Sequence, residues 1–166
     1  MSRQIRVLMV CTGNICRSPT AEGVLRRKVA DAGLSGQIEV ESAGTVDYHA
    51  GSPPDHRAQQ SAQRRGYDLS RQRARQLRAT DFERFDLLLG MEAEHVDRLF
   101  ALCPAPLQDR IRLLMDCAPS RPRGFGVPDP YYGAPAGFER VLDLVEEACD
   151  GLVRELQARV AAAAAD

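Results

Sequence analysis

A chain of 166 residues, 44% of them hydrophobic, is long enough to bury one substantial core without disulfides or metal ions, and its length fits a single domain over 1–166. Its 22 basic and 23 acidic residues leave a formal net charge of −1, which removes the electrostatic case for nucleic acid or an anionic membrane surface as partner. No apolar run approaches a transmembrane span or the h-region of a secretory signal, and the five cysteines, read as free thiols, indicate a reducing cytoplasm.

In chain order, the first element is the short segment Ile5–Val10, rich in branched apolar residues, which reads as a buried strand. Ser18, Pro19 and Glu22 then announce a helix: Ser18 can cap free amides, and Pro19 costs no hydrogen bond at a first helical position. Ala21, Val24, Leu25, Val29 and Ala32 share one face, which predicts a helix over Pro19–Ala32. Between strand and helix lies Cys11-Thr12-Gly13-Asn14-Ile15-Cys16-Arg17, with a thiol and a guanidinium at the two ends of a tight loop. A loop opening on a helix N-terminus meets free amides and the positive end of the dipole, a setting for an anion.

Each residue type in that loop has a physical use. A thiol is a poor nucleophile until it ionises, and the helix terminus, the loop amides and Arg17 would all favour Cys11 as thiolate. Arg17 can hold two phosphoryl oxygens in its planar fork, which Lys would not do well. Gly13 and Asn14 are the residues best able to take positive φ, so that successive N–H groups point inward. Ser18 offers a hydroxyl to steady the thiolate.

Further strands are predicted at Gln37–Ser42, Phe85–Gly90 and Ile111–Leu114, and further helices at Asp55–Arg65, Glu92–Leu102 and Gly137–Arg159. Thr80 with Glu83 reads as a capping box before the third strand. In the last helix Phe138, Val141, Leu142, Val145, Cys149, Leu152, Val153 and Leu156 form one apolar stripe facing the core, and the Ala-rich end, 160–166, reads as a frayed tail. The alternation predicts an α/β fold: an open four-stranded parallel sheet with helices on both faces and a phosphate-binding loop after the first strand.

The string from Cys11 to Pro19, placed after a first strand, resembles the signature loop of the low-molecular-weight protein tyrosine phosphatases, and Asp129-Pro130-Tyr131-Tyr132-Gly133 supplies the family's second mark. The resemblance continues through Glu41-Ser42-Ala43-Gly44-Thr45 and Arg73-Ala74-Arg75-Gln76-Leu77. It implies hydrolysis of phosphotyrosine in proteins through a phosphocysteine, with no cofactor and no metal. Cys11 then resembles the nucleophile, Arg17 the phosphate clamp, and Asp129 the acid that protonates the leaving oxygen and later activates water. Thr12, Gly13, Asn14, Ile15, Cys16 and Ser18 resemble the rest of the phosphate cradle. Asn14, Ser18 and Ser42 resemble the hydrogen-bond network that holds its shape. Tyr48, Tyr131 and Tyr132 look like the aromatic walls of the crevice, and in relatives such tyrosines can be phosphorylated. The implied partners are phosphotyrosine proteins, with this chain a monomer or weak dimer.

Elementary chemistry agrees. A phenolate (pKa ~10) leaves more easily with a proton donor beside it, and Pro128 and Pro130 restrain the backbone of Asp129 as suits a positioned acid. A covalent route splits the displacement into two in-line steps stabilised by preorganised donors. One departure from the family pattern is Gln72, where many relatives carry His: it can exchange hydrogen bonds with the loop Asn but cannot charge.

Several residues admit more than one reading. Cys16 is a buried small residue or, as the resemblance implies, a redox partner that forms a reversible disulfide with Cys11; a zinc site lacks its second cysteine pair. Cys103, Cys117 and Cys149 read as structural. His49 reads as a solvated loop residue near the crevice, His56 and His95 as helix surface, and none is needed for the chemistry. Arg71, Arg73, Arg75 and Arg78, with Arg64 and Arg65, form either a solvated basic face or a rim for acidic phosphopeptides. Arsenate reductases share this scaffold but need a closer set of thiols. Relatives acting on phosphoarginine carry Thr where Ile15 stands. A noncatalytic phosphate-binding module would not need Asp129.

Overall fold

The computed structural model describes residues 4–165. β1 (Ile5–Cys11) runs between β2 (Ile38–Gly44) and β3 (Leu87–Gly90), and β4 (Ile111–Leu113) completes a sheet of order β2-β1-β3-β4, every pair parallel. Because side chains alternate along a strand, β1 serves two cores. Val7 and Met9 pack under α1 (Arg17–Asp31) and α5 (Ala136–Ala165) on one face. Leu8 and Val10 meet Phe82 of α3 (Asp81–Arg84), Phe85 and Leu99 of α4 (Ala93–Leu102) on the other. α2 (His56–Arg64) packs beside α5. The predicted α/β architecture is therefore the observed one. The chain leaves β1 toward β2 on one side and takes up β3 on the other, so the crevice of the sheet opens at the carboxyl end of β1.

Differences from the sequence reading have physical causes. β1 and β2 each run past their predicted ends, because Cys11 pairs with Gly44 and carries the ladder into the loop. β3 starts later than Phe85, and after β4 the chain tightens at once into a 3₁₀ turn over Leu114–Cys117. α1 begins at Arg17 with Cys16 at its N-cap and no side-chain cap, so Ser18 is not the capping residue and Pro19 sits inside the first turn, where its missing N–H still costs nothing. The Thr80–Glu83 box does not form either: Thr80 makes no capping bond. Buried Asp81 instead accepts from the Arg78 amide at 2.7 Å and from the Arg75 guanidinium at 3.0 and 3.1 Å. α5 buries the predicted stripe and continues through the alanines to Ala165. Among the described residues no helix is long and apolar enough to cross a membrane.

Gly44 shows why the loop lies where it does. A Cβ there would stand 2.6 Å from the Thr12 carbonyl oxygen, so the end of β2 closes on the loop backbone to backbone, and Thr45 and Val46 amides donate to the Cys11 and Thr12 carbonyls at 2.9 and 3.1 Å.

Candidate active site

The loop between β1 and α1 lines a cavity of about 420 Å³. Its walls are Cys11, Thr12, Gly13, Ile15, Cys16 and Arg17 from the loop, Val46, Tyr48 and His49 from the segment after β2, and Asp129, Tyr131 and Tyr132 from the segment before α5. All three tyrosines singled out in the sequence thus gather around the thiol. Tyr48 and Tyr132 are 81% and 94% exposed and stand at the mouth, with Tyr131 edge-on to Tyr132 at 4.8 Å between ring centres.

Asn14 and Ser18 lie buried beneath the loop rather than on the cavity wall. Asn14 alone among the described non-glycine residues has positive φ, 59°, and its side chain ties three segments: Nδ2 donates to Ser18 Oγ at 2.8 Å and to Ser42 Oγ at 2.9 Å, and Oδ1 accepts from the Arg75 amide at 3.0 Å. Gly13 does not adopt positive φ. It makes room for His49, whose Cδ2 a Cβ would meet at 3.0 Å. Ser18 Oγ lies 3.0 Å from Cys11 Sγ.

Ser42 passes the network on to Glu22, donating at 2.8 Å, with Gln72 Oε1 at 3.4 Å. Gln72 therefore supports the loop through Ser42 and through its amide bond to the Pro19 carbonyl at 2.9 Å, not by touching Asn14. Burial pushes the Glu22 carboxyl above its usual range against the pull of Arg26, 3.3 Å away.

Arg17 is 2% exposed yet reaches the cavity. One nitrogen bonds the Glu92 carboxylate and the Val127 carbonyl at 3.0 Å, and the other lies 3.7 Å from Asp129. Glu92 was not legible as a site residue. It is the N-cap residue of α4: its carbonyl oxygen accepts from the His95 amide at 3.0 Å, while Nδ1 of the His95 ring accepts from the Glu92 amide at 3.0 Å, which leaves the carboxylate to Arg17. His95 is accordingly not on the helix surface: it is 1% exposed and its Nε2 lies 2.9 Å from Thr12 Oγ1. The spacing Glu92-x-x-His95 was the available signal. His56 is exposed, as expected, and His49 reaches the wall.

Asp129 Oδ1 accepts from the Tyr131 amide at 3.0 Å. Tyr131 in turn packs beneath Arg57, whose guanidinium carbon lies 5.5 Å from its ring centre and 4.7 Å from that of Phe138. Asp55 holds that guanidinium with both oxygens, at 3.1 and 2.9 Å, and its amide donates to the Ile15 carbonyl at 2.7 Å. Cys16 is buried beside Cys11, and desolvation and the nearby Asp55 push its thiol up to about 12.

None of the six clustered arginines lines this cavity. Arg65 binds Glu139, Asp143 and Glu146, while Arg75 binds Asp81 and Glu41. Arg71 and Arg73 border a separate cavity with Glu22, Glu39, Glu41 and Asp68. Among the described residues no group of His, Cys, Asp or Glu is placed to hold a metal ion.

A thiol at the end of a central parallel strand, under an anion-binding loop with a buried arginine and a facing carboxylate, defines the class of cysteine-based phosphatases. Residues 6–162 match the model of the low molecular weight phosphotyrosine protein phosphatase family, and the chain belongs to that family. It is 43% identical over 162 residues to the low molecular weight protein-tyrosine-phosphatase of Streptomyces coelicolor, covering 96% of this chain and 98% of that one. It is 38% identical over 149 residues to the human low molecular weight phosphotyrosine protein phosphatase, covering 86% and 90%. A crystal structure of the protein tyrosine phosphatase from Entamoeba histolytica superposes with a TM-score of 0.90 at 35% identity, covering 93% and 98%. The chain is an enzyme of the low-molecular-weight protein-tyrosine-phosphatase type.

Proposed function

We propose that this enzyme, a single domain working in the cytoplasm, hydrolyses phosphotyrosine in proteins in two displacements at phosphorus. The observation that carries the reading is the convergence of Cys11, Arg17 and Asp129 on one aromatic-walled cavity. In the first step Cys11 thiolate attacks phosphorus in line, the P–S bond forms, the bond to the tyrosine oxygen breaks, and protonated Asp129 gives that oxygen its proton. In the second, Asp129 carboxylate takes a proton from water, the water oxygen attacks phosphorus, and the P–S bond breaks to return the thiolate. Ser18 Oγ, 3.0 Å from the sulfur, donates to it as it leaves.

Arg17, pre-set by Glu92 and Val127, and the amides at the start of α1 supply the positive charge for both transition states, a task that would otherwise fall to a metal ion. Gly13, Ile15 and Cys16 shape the cradle, and Asn14, Ser42 and Gln72 hold it from below. Ile15 on the wall favours a phenyl ring over a polar guanidine as the leaving group. Cys103, Cys117 and Cys149 do not line the cavity, which leaves an arsenate-reducing relay with no thiol there beyond Cys11 and Cys16. Cys16 serves as the thiol that condenses with an oxidised Cys11.

The test is turnover of p-nitrophenyl phosphate and of a phosphotyrosine peptide, with EDTA present, by the wild type, Cys11→Ser and Asp129→Ala. Turnover that resists EDTA, vanishes in Cys11→Ser and falls further on the peptide than on p-nitrophenyl phosphate in Asp129→Ala supports the mechanism. Wild-type protein that binds the peptide without turnover would make it a binding module.

A further inference from the structure

The corner between β3 and α4 sends two side chains into the phosphate loop. Glu92 takes Arg17, and three residues later His95 reaches Thr12. Hydrogen-bond accounting fixes where the protons are. The Glu92 amide donates to His95 Nδ1 at 3.0 Å, so that nitrogen carries no proton. Burial and the neighbouring Arg17 push the ring's pKa down to about 4, against the pull of Asp129; Glu94 lies 3.6 Å from Nε2. At neutral pH the ring is therefore uncharged with its one proton on Nε2, and Nε2–H donates to Thr12 Oγ1 at 2.9 Å. The threonine oxygen is thereby engaged as an acceptor, while its own O–H remains to be given. Thr12 borders the same cavity as Cys11, Arg17 and Asp129.

We propose that the Thr12 hydroxyl donates a hydrogen bond to an oxygen of the phosphoryl group bound in this cavity, and that His95 is the positioning residue that turns it there. The inference rests on the cavity being a phosphate site. It does not rest on the covalent route. A hydroxyl differs from the loop amides in being able to rotate, and it stays aimed only because a fixed N–H occupies its lone pair. Glu92 and His95 thus act as a pair: one short helix cap sets the clamp arginine and the extra donor together.

The experiment measures binding of inorganic phosphate by calorimetry to Cys11→Ser protein, where no phosphocysteine can form, so that failure of the covalent mechanism leaves the result readable. Adding Thr12→Val, which keeps the shape and removes the hydroxyl, is expected to weaken phosphate about tenfold or more, while Thr12→Ser holds within about threefold. Two variants of His95 separate positioning from capping. Asn presents an acceptor near the place of Nδ1 and nothing at Nε2; Gln presents an N–H near Nε2 and nothing at Nδ1. His95→Asn is expected to keep thermal stability and lose phosphate affinity as Thr12→Val does. His95→Gln is expected to lose stability and keep affinity. Adding Thr12→Val to His95→Asn should weaken binding no further. Phosphate bound by Thr12→Val as tightly as by its parent overturns the proposal, as does affinity that follows stability across the two His95 variants.

Discussion

Arg17 and Glu92 form an ion pair in which the arginine is almost wholly buried and already oriented, with the Val127 carbonyl on the same nitrogen. The guanidinium proposed as the phosphate clamp is therefore set without phosphate, and the cost of ordering a long side chain is met on folding rather than on binding. Glu92→Gln keeps the shape and removes the charge. Its kcat/KM for p-nitrophenyl phosphate is expected to fall about 10- to 100-fold, with a urea midpoint near that of the wild type. Unchanged kinetics would mean that the Val127 carbonyl alone sets the guanidinium.

Asn14 holds the loop by three hydrogen bonds and by its left-handed backbone. Replacing it by Ala removes all three bonds and leaves a side chain that resists φ of 59°, whereas Gly removes the bonds alone. Urea unfolding should show a loss of about 2–4 kcal/mol for Asn14→Ala and a smaller loss for Asn14→Gly. Equal losses would place the whole cost in the hydrogen bonds.

His95 gives stability a defined pH dependence. Its folded pKa, about 4, lies below the ordinary 6.5. Between those values the unfolded chain holds more protons than the folded one, so the stabilisation is full above pH 6.5 and is lost as pH falls toward 4. The wild type should lose about 3 kcal/mol more than His95→Asn across that window. Parallel curves for the two proteins would contradict the assignment. Glu22, with a raised pKa, works in the opposite sense and is common to both.

Arg57 joins the phosphate loop to the acid segment, through Asp55 on one side and the Tyr131 ring on the other. Removing it as Arg57→Ala should loosen Asp129 and lower kcat more for phenyl phosphate, whose leaving group needs the proton, than for p-nitrophenyl phosphate. A difference of about 3- to 10-fold between the two substrates is expected. An equal fall for both would confine Arg57 to helix packing.

Cys16 remains a protonated thiol at neutral pH. Limiting peroxide should therefore oxidise Cys11 to the sulfenic acid first; attack by Cys16 sulfur then expels water and leaves a disulfide. Wild-type activity is expected to return on adding dithiothreitol, while Cys16→Ser is expected to go on to irreversible loss under repeated peroxide. Full recovery of Cys16→Ser would remove the redox role.

The fold and the floor of the site were legible because local chemistry announces them. Four branched apolar runs alternating with amphipathic helices leave few topologies, and the spacing from Cys11 to Arg17 is a short-range pattern within one loop. The encounter of Tyr48, Tyr131 and Tyr132 was reached through resemblance, since nothing local ties residues so distant in sequence. Glu92 and His95 escaped because each is an ordinary helix-cap residue in sequence. Their roles depend on β3 lying beside β1, which brings the start of α4 against Thr12 and Arg17. Ser18 and Thr80 both fit capping rules, but Ser18 binds Asn14 and, as the sequence suggests, stands beside Cys11, while Thr80 makes no capping bond and the neighbouring Asp81 instead fastens the Arg78 amide ahead of the helix.

The contact of Gly44 with the Thr12 carbonyl divides the labour of recognition. The cradle takes its depth and curvature from main chain wedged against main chain, with no side chain to exchange at that point. As a proposed phosphate site, that main chain senses an oxyanion and little else about the molecule that carries it. Discrimination among substrates then falls to Ile15 on the wall and to the mouth, where Tyr48 and Tyr132 project into solvent with few structural duties. A lineage can retune its choice of partner by replacing those rings, and leave the chemistry beneath them as it was.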